Sequence, residues 1–321
     1  DAFGMSSSFT SFLQIVENCD NFPYPNSSNF PTELFNAVPL TLNKTKIGIL
    51  LPSTVDTLRE YNSRLNPAPL EIKEKYVTFS AHITNFQERT EAVKQLFDTW
   101  RSEKKFAALE GWRDELYPVY GDINYPSNVA FVMERAATPI FGIPTFGVHL
   151  NGYIKTPEGK IKMWIAKRAS TKPTWPGRLD NTIAGGITYQ LSINETIAKE
   201  AMEEASIPAN IASTAVPTGA ITYFTVTKLG LQPETQYIYD LEFPVDIQPK
   251  PLDDEVECFY LLDVDEVKKN LLEGKFKPNC ALAVIDFFIR HSVITPDKEP
   301  DYIEILTRIH RKLEFPGPKT I

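Results

Sequence analysis

Apolar residues recur at two different spacings along this chain, and the change from one to the other divides it. In residues 11–17, Phe12, Ile15 and Val16 fall on one side of a helix. A polar, Pro- and Asn-rich stretch, residues 21–29, breaks that pattern. Residues 47–51 and 76–79 predict short strands. Residues 89–103 predict an amphipathic helix, with Val93, Leu96, Phe97 and Trp100 at helical spacing as a core stripe. The run 129–136 closes this region, and Thr138-Pro139 marks a break.

From Phe146 onward, strand-like runs dominate. Residues 147–153 and 162–166 predict a hairpin closed by the turn 156–159. Residues 220–226, 236–243 and 257–262 predict further strands, and 264–273, 281–291 and 301–313 predict helices. This order predicts an α/β fold in two parts: a smaller α+β domain over 5–140 and a mixed-sheet domain over 141–316 that includes the C-terminal helices.

Composition narrows the class. A chain of 321 residues is long enough for two domains, and 42% hydrophobic and 23% charged residues are ordinary for globular proteins. A net charge of −8 with no strongly basic stretch argues against a nucleic-acid partner. Cys19, Cys258 and Cys280 show no C-x-x-C spacing, which suggests neither a disulfide framework nor a zinc site. No apolar run reaches membrane-spanning length, and no basic-then-apolar leader opens the chain. Residues 1–4, ahead of Met5, look vector-derived. Together these features predict a cytoplasmic protein with no membrane partner; they leave the oligomeric state open.

The chemistry concentrates in residues 184–207, A-G-G-I-T-Y-Q-L-S-I-N-E-T-I-A-K-E-A-M-E-E-A-S-I. Ser192 and Glu195 form a capping box at the start of a helix. Ile197, Ala198, Ala201, Met202 and Ala205 gather on its expected inner side, with Glu200, Glu203 and Glu204 on the other. Three clustered carboxylates suit a hard cation, Mg²⁺ or Mn²⁺, which also binds phosphate oxygens. The plain alternative is the solvated face of an ordinary helix; the Gly-Gly turn just upstream weighs against it.

This segment resembles the Nudix box, G-x5-E-x7-R-E-U-x-E-E-x-G-U, where U is a bulky apolar residue. Glu200 matches the glutamate after the box arginine, Glu203 and Glu204 match the E-E pair, and Ile207 matches the final apolar residue. Lys199 stands in the arginine's place, Ser206 in the last glycine's, and Leu191 or Ser192 where the first glutamate belongs. Lysine cannot reproduce the arginine's forked hydrogen bonds. The stretches 16–23 (V-E-N-C-D-N-F-P), 172–186 (K-P-T-W-P-G-R-L-D-N-T-I-A-G-G), 203–208, 219–224, 253–267 and 278–291 are similar to the thiamin-pyrophosphokinase-related Nudix hydrolases of fungi and plants. That resemblance covers nearly the whole chain. It implies a Nudix α/β/α sandwich preceded by an extra N-terminal domain. It also implies hydrolysis of thiamin-like diphosphates, oxidised or damaged forms above all, in a metabolite-repair role.

On that resemblance, Glu200, Glu203 and Glu204 hold metal with the carbonyl of Gly185, and Glu203 or Glu255 serves as the base. Lys199 joins them as a supporting catalytic residue, and Glu257 lies near Glu255 on the same strand. Lys167, Arg168 and Arg178 are candidates to hold the diphosphate. Tyr223 and Phe224, with Trp164, Trp175, Tyr237 and Tyr239, are candidates to stack on the ligand's rings, though each alone fits a core role. Asp180 and Asn181 are candidates to orient the ligand. His82, His149, His291 and His310 are dispersed and carry no predicted role. Two rivals stand beside this reading. An isopentenyl-diphosphate isomerase shares the K-x-T-x-P-G-x-x-x-N-T stretch, but Ala184-Gly185-Gly186 follows here with no cysteine nearby in the sequence. A non-catalytic sensor of a phosphorylated metabolite is the other.

Overall fold

The computed structural model describes residues 8–28 and 30–319; residues 1–4 lie outside these. The first half holds helices α1 (Phe12–Cys19), α2 (Thr32–Phe35), α3 (Pro52–Asn62) and α4 (Phe86–Ser102). Strands β1 (Val38–Leu42), β2 (Thr45–Leu50), β3 (Leu70–Ile72) and β4 (Val77–Phe79) form a four-stranded sheet in the order β2-β1-β4-β3, with β1 and β4 parallel. Strands β5 (Leu116–Tyr120) and β6 (Val129–Glu134) pair separately. The predicted stripe of α4 is buried here, with Phe97 and Trp100 packed edge-on to Phe141. Helix α1 does not join this core. Its Ile15, Val16 and Cys19 bury with the C-terminal helices instead.

The second half is built on a seven-stranded mixed sheet. Strands β7 (Thr145–Lys155), β8 (Ile161–Arg168), β9 (Leu179–Asp180), β10 (Ile183–Gly186), β11 (Val216–Thr227), β12 (Gly230–Glu242) and β13 (Val256–Asp263) supply it. The main order is β11-β12-β7-β8-β13, with β10 added to β7 and β9 to β8. The pairing of β12 with β7 is parallel, and the other pairings are antiparallel. Alternation along β12 sorts its residues: Ile238 enters one core, while Tyr237, Tyr239 and Leu241 enter the other.

Helix α5 (Ile193–Ala205) covers the second face, followed by the short α6 (Ala209–Ala212). Helices α7 (Val264–Leu272), α8 (Pro278–Arg290) and α9 (Tyr302–Arg308) cover the first, together with α1. Helix α8 is apolar nearly all round, as a helix buried between sheet and outer helices must be. The result is the expected α/β/α sandwich with a mixed sheet. Helix α9 is shorter than predicted, because the chain turns extended at His310 to bridge Thr222. Among the described residues, no helix is long and apolar enough to cross a membrane.

Candidate active site

The Gly-Gly turn is the end of β10. Gly185 pairs with Val148 and Gly186 with Gly147 on β7. The chain then leaves the sheet, and the capping box at Ser192 and Glu195 starts α5 as predicted. Helix α5 presses so closely on β10 that a Cβ at Gly185 would fall 2.7 Å from Glu200 Cγ and 2.8 Å from Cδ. Glycine is what lets a carboxylate-bearing turn lie on this strand.

The face assignment of α5 needs correction. Residues 197, 200, 201, 204 and 205 form the contact stripe, an i, i+3, i+4, i+7, i+8 pattern. Glu200 and Glu204 therefore face β10, while Glu203 is exposed. Met202 (43% exposed) and Ala198 also face outward, and Thr196 is buried in their stead. The helix ends at Ser206 in the left-handed conformation, φ 55°, where the family pattern carries glycine.

Two carboxylates thus sit half-enclosed without a cation. Burial pushes Glu200 up to about 7, with Lys199 opposing and Glu203 and Glu255 adding to the shift. Burial pushes Glu204 well above the usual range, and the charges of Glu200, Asp180 and Glu255 raise it further. The amide of Ala184 approaches Glu204 Oε2 at 3.5 Å. Side chains that burial and neighbouring carboxylates hold toward the protonated form suit a divalent ion, so the donor set fits the metal that the sequence implies. Glu255 reaches the same field from the loop before β13. Burial raises it, but the hydrogen bond and charge of Lys172 (2.8 Å), with Arg113 and Arg168, outweigh that and hold it below the usual range.

A second cluster lies on the opposite face of the sheet from α5. His149, Asp180 and Cys280 bring ligand atoms within 4.8 Å of one another, closer than the glutamates of α5 converge. Asp180 is already paired with Arg168 at 3.1 Å, and Lys277 adds a second positive charge. Cys280 donates to Asp180 Oδ1 (2.8 Å) and its thiol is pushed well up by burial. Burial lowers His149 to about 4, and its Nδ1 lies 2.6 Å from Asn181 Oδ1. The cluster is a charge-balanced strut joining β7, β9 and α8. It also places a cysteine against Asp180 and Asn181, which the local sequence does not show.

The predicted phosphate cations are engaged elsewhere. Lys167 pairs with Glu257 at 3.2 Å. Arg168 holds Asp180 and the carbonyls of Thr174 (2.8 Å) and Trp175 (3.1 Å). Arg178 donates to the carbonyl of Gly274. Phe224 stacks on Phe22, centroids 4.0 Å apart, in a cluster apart from the one α5 joins. Tyr223 is buried and donates to Glu234 Oε2 at 2.7 Å. Trp164 is core, while Tyr237 and Tyr239 pack partly buried beneath α5. Trp175 sits in a loop at φ 52°. Lys199 is exposed beside Glu200.

The sequence reading missed residues from the first half and from β12. Tyr117 of β5 stands over Gly186, where its hydroxyl occupies the space of a Cβ. Arg135 lies against the Tyr117 ring, Cζ 5.2 Å from its centroid. The amide of Tyr189 donates to Leu116 O at 2.8 Å and joins the two halves beside the site. Glu234 is buried and raised by desolvation, with Gln236 Nε2 2.9 Å from its Oε2. Only L-Y-P-V-Y, alternating but broken by proline, hinted at β5, and nothing in it announced a partner 70 residues away.

Comparisons with known proteins agree with this geometry. Residues 11–145 match a family model described as a domain of unknown function, DUF4743. An uncharacterised protein of Saccharomyces cerevisiae is 37% identical, over 95% of this chain and 92% of its own length. The Arabidopsis thaliana protein named Nudix hydrolase 20, chloroplastic, is 33% identical over 96% of this chain and 79% of its own. A C. elegans Ap4A hydrolase structure aligns at 15% identity over 47% of this chain and 99% of its own; its TM-score of 0.35 is too low to bear on chemistry. With named Nudix relatives matched along almost the whole chain, and with box carboxylates set against a Gly-Gly turn, the chain belongs to the Nudix hydrolase family and is a phosphoanhydride hydrolase.

Proposed function

We propose that this enzyme is a Mg²⁺- or Mn²⁺-dependent diphosphatase that acts on thiamin-like diphosphates, oxidised or damaged forms above all, and releases a monophosphate ester and inorganic phosphate. The observation that carries the reading is the pair Glu200 and Glu204: two half-enclosed carboxylates, both raised, with no ion pair among the described residues, on a helix pressed against Gly185.

In this reading Glu200 and Glu204 hold the ion with the carbonyl of Gly185. The ion, when bound, neutralises diphosphate charge and lowers the pKa of water. Glu255, kept ionised by Lys172, accepts the proton as water attacks the terminal phosphorus and the anhydride P–O bond breaks. Exposed Glu203 stands at the rim as the alternative base, and Lys199 sets the field at Glu200. Tyr223, tied to Glu234 and Gln236 by hydrogen bonds, is the assigned contact for the organic part. The fungal and plant likeness of the motifs supports the thiamin-type substrate. The free thiols Cys19, Cys258 and Cys280 support a cytoplasmic setting, and the acidic balance favours a small-molecule partner over nucleic acid.

The test is phosphate release from thiamin diphosphate and its oxidised analogues with and without Mg²⁺. Metal-dependent release is expected, lost in Glu200→Gln and Glu204→Gln. Full activity in both variants would overturn the assignment.

A further inference from the structure

The first half of the chain brings cations to a site whose own half supplies mostly acids. Arg135 begins the turn after β6, and its Cζ would lie 3.5 Å from a Cβ at Gly186. One of its nitrogens, Nη1, donates to Glu115 Oε2 at 2.9 Å; Nε and Nη2 make no hydrogen bond among the described residues. Arg113 lies just before β5, its amide fixed by Glu134 Oε1 at 2.7 Å. Its guanidinium is half-buried, and among the described residues it pairs with no carboxylate. Burial and the like charge of Arg135 work against its own charge, while Glu115, Tyr117 and Glu255 lie within its field and oppose that shift. Glu115, paired with Arg135 and within the field of Arg113, offsets part of that repulsion, and a bound anion would offset the rest.

The acidic side faces this pair. Glu200 feels the charge of Arg135, and Glu255 that of Arg113. A phosphate placed between them meets hard-cation ligands on one side and forked donors on the other.

We propose that Arg113 and Arg135 form a phosphate clamp, lent by the first half of the chain to the hydrolytic centre, that takes the terminal phosphate of the substrate. The proposal rests on the reading of Glu200 and Glu204 given above and names the substrate class more closely. A terminal phosphate carries about two negative charges and three free oxygens, which match two guanidinium groups. A phosphate esterified on both sides carries one charge and two free oxygens. The clamp therefore selects diphosphates with a free end over diphosphates that join two organic groups.

The test uses the full-length protein. Binding of methylenediphosphonate, which cannot be hydrolysed, is measured by calorimetry in Mg²⁺ for wild type, Arg113→Ala, Arg113→Lys and Arg135→Ala. Each alanine variant is expected to bind at least about tenfold more weakly, the loss typical of a charge-assisted hydrogen bond. Lysine is expected to recover part of the loss at position 113. Arg113→Ala should keep the wild-type melting temperature, since among the described residues its guanidinium has no hydrogen-bond or ion-pair partner to lose. Steady-state assays then compare thiamin diphosphate with ADP-ribose. Arg113→Ala should raise KM for the first several-fold more than for the second. Unchanged diphosphonate affinity in Arg113→Ala, or equal losses on both substrates, would overturn the clamp. The calorimetry needs no turnover, so an inactive wild type would count against the hydrolytic reading while leaving the clamp's own result legible.

Discussion

Gly185 and Glu200 occupy one another's space: the strand carries no Cβ at 185, and the glutamate stem fills the gap it leaves. Gly185→Ala is therefore expected to act on function more than on folding. The added methyl would meet Glu200 Cγ at 2.7 Å, and a glutamate side chain can swing away at a cost of about 1–3 kcal/mol. Swinging away removes a carboxylate from the proposed ion site. Urea denaturation should show a modest loss of stability, while Mn²⁺ titration should show affinity down by an order of magnitude or more. Unaltered Mn²⁺ affinity would break the link between this glycine and the site.

The raised carboxylates make a signed prediction about pH. Glu200 stands at about 7 in the folded protein against 4.5 for an unhindered glutamate. Between those values the folded chain keeps a proton that the unfolded chain releases, so stability falls as pH rises through the window. Glu204 is shifted in the same direction. In EDTA the melting temperature of wild type relative to Glu200→Gln should fall between pH 5 and pH 7.5, a comparison that cancels the opposite slope from His149, which burial lowers to about 4. Added Mg²⁺ should raise it most at the upper end, where both carboxylates are ionised and need a cation. Glu204→Gln should flatten the slope in EDTA and blunt the response to metal. A wild-type melting temperature that climbs with pH relative to Glu200→Gln in EDTA would contradict the assigned environment.

Much of the site was legible in the sequence wherever the cue was local. The capping box at Ser192, the Gly-Gly turn and the glutamate spacing all lie within 24 residues and specify one helix after one strand. The facing of that helix was not legible. Two stripes, one through Ala198 and Met202 and one through Glu200 and Glu204, are about equally regular, and apolarity alone favours the first. The choice falls to β10, where glycines admit charged side chains that a bulkier strand would exclude. Contacts between distant segments were illegible for a different reason. Tyr117 over Gly186 and Cys280 against Asp180 join residues 69 and 100 apart, and no local spacing encodes such pairs. The partners of the candidate cations were hidden by the same limit. Arg168 looked free to bind phosphate because Asp180, its buried partner, sits on a different strand.

That ion pair carries its own prediction. Arg168 and Asp180 side chains are 11% and 10% exposed and lie 3.1 Å apart. Arg168→Ala strands a buried carboxylate and frees the Thr174 and Trp175 carbonyls, with Lys277 left as partial compensation. Breaking a buried pair from one side costs about 3–5 kcal/mol, with Lys277 pulling toward the low end. Chemical denaturation reads the cost directly. If Arg168 bound substrate phosphate instead, the variant would keep its stability and lose affinity, so the two measurements separate the roles.

The end of α5 offers a final contrast. Ser206 adopts φ 55°, and its Oγ donates to Lys250 O at 2.9 Å. A non-glycine residue in that region costs about 1–2 kcal/mol, which Ser206→Gly relieves while losing one exposed hydrogen bond. Ser206→Ala keeps the backbone cost and loses the bond as well. Glycine should therefore be the more stable of the two variants by about 1 kcal/mol, and alanine should fall below wild type. Both should leave kcat untouched, because Ser206 closes the helix through Met202 O (3.1 Å) rather than through Glu200 or Glu204. Serine is tolerated in the glycine position because Lys250 supplies an acceptor, and replacing Pro251 should not disturb that carbonyl unless the segment after β12 moves. Equal stabilities for the two variants would show that the left-handed turn carries no strain in solution.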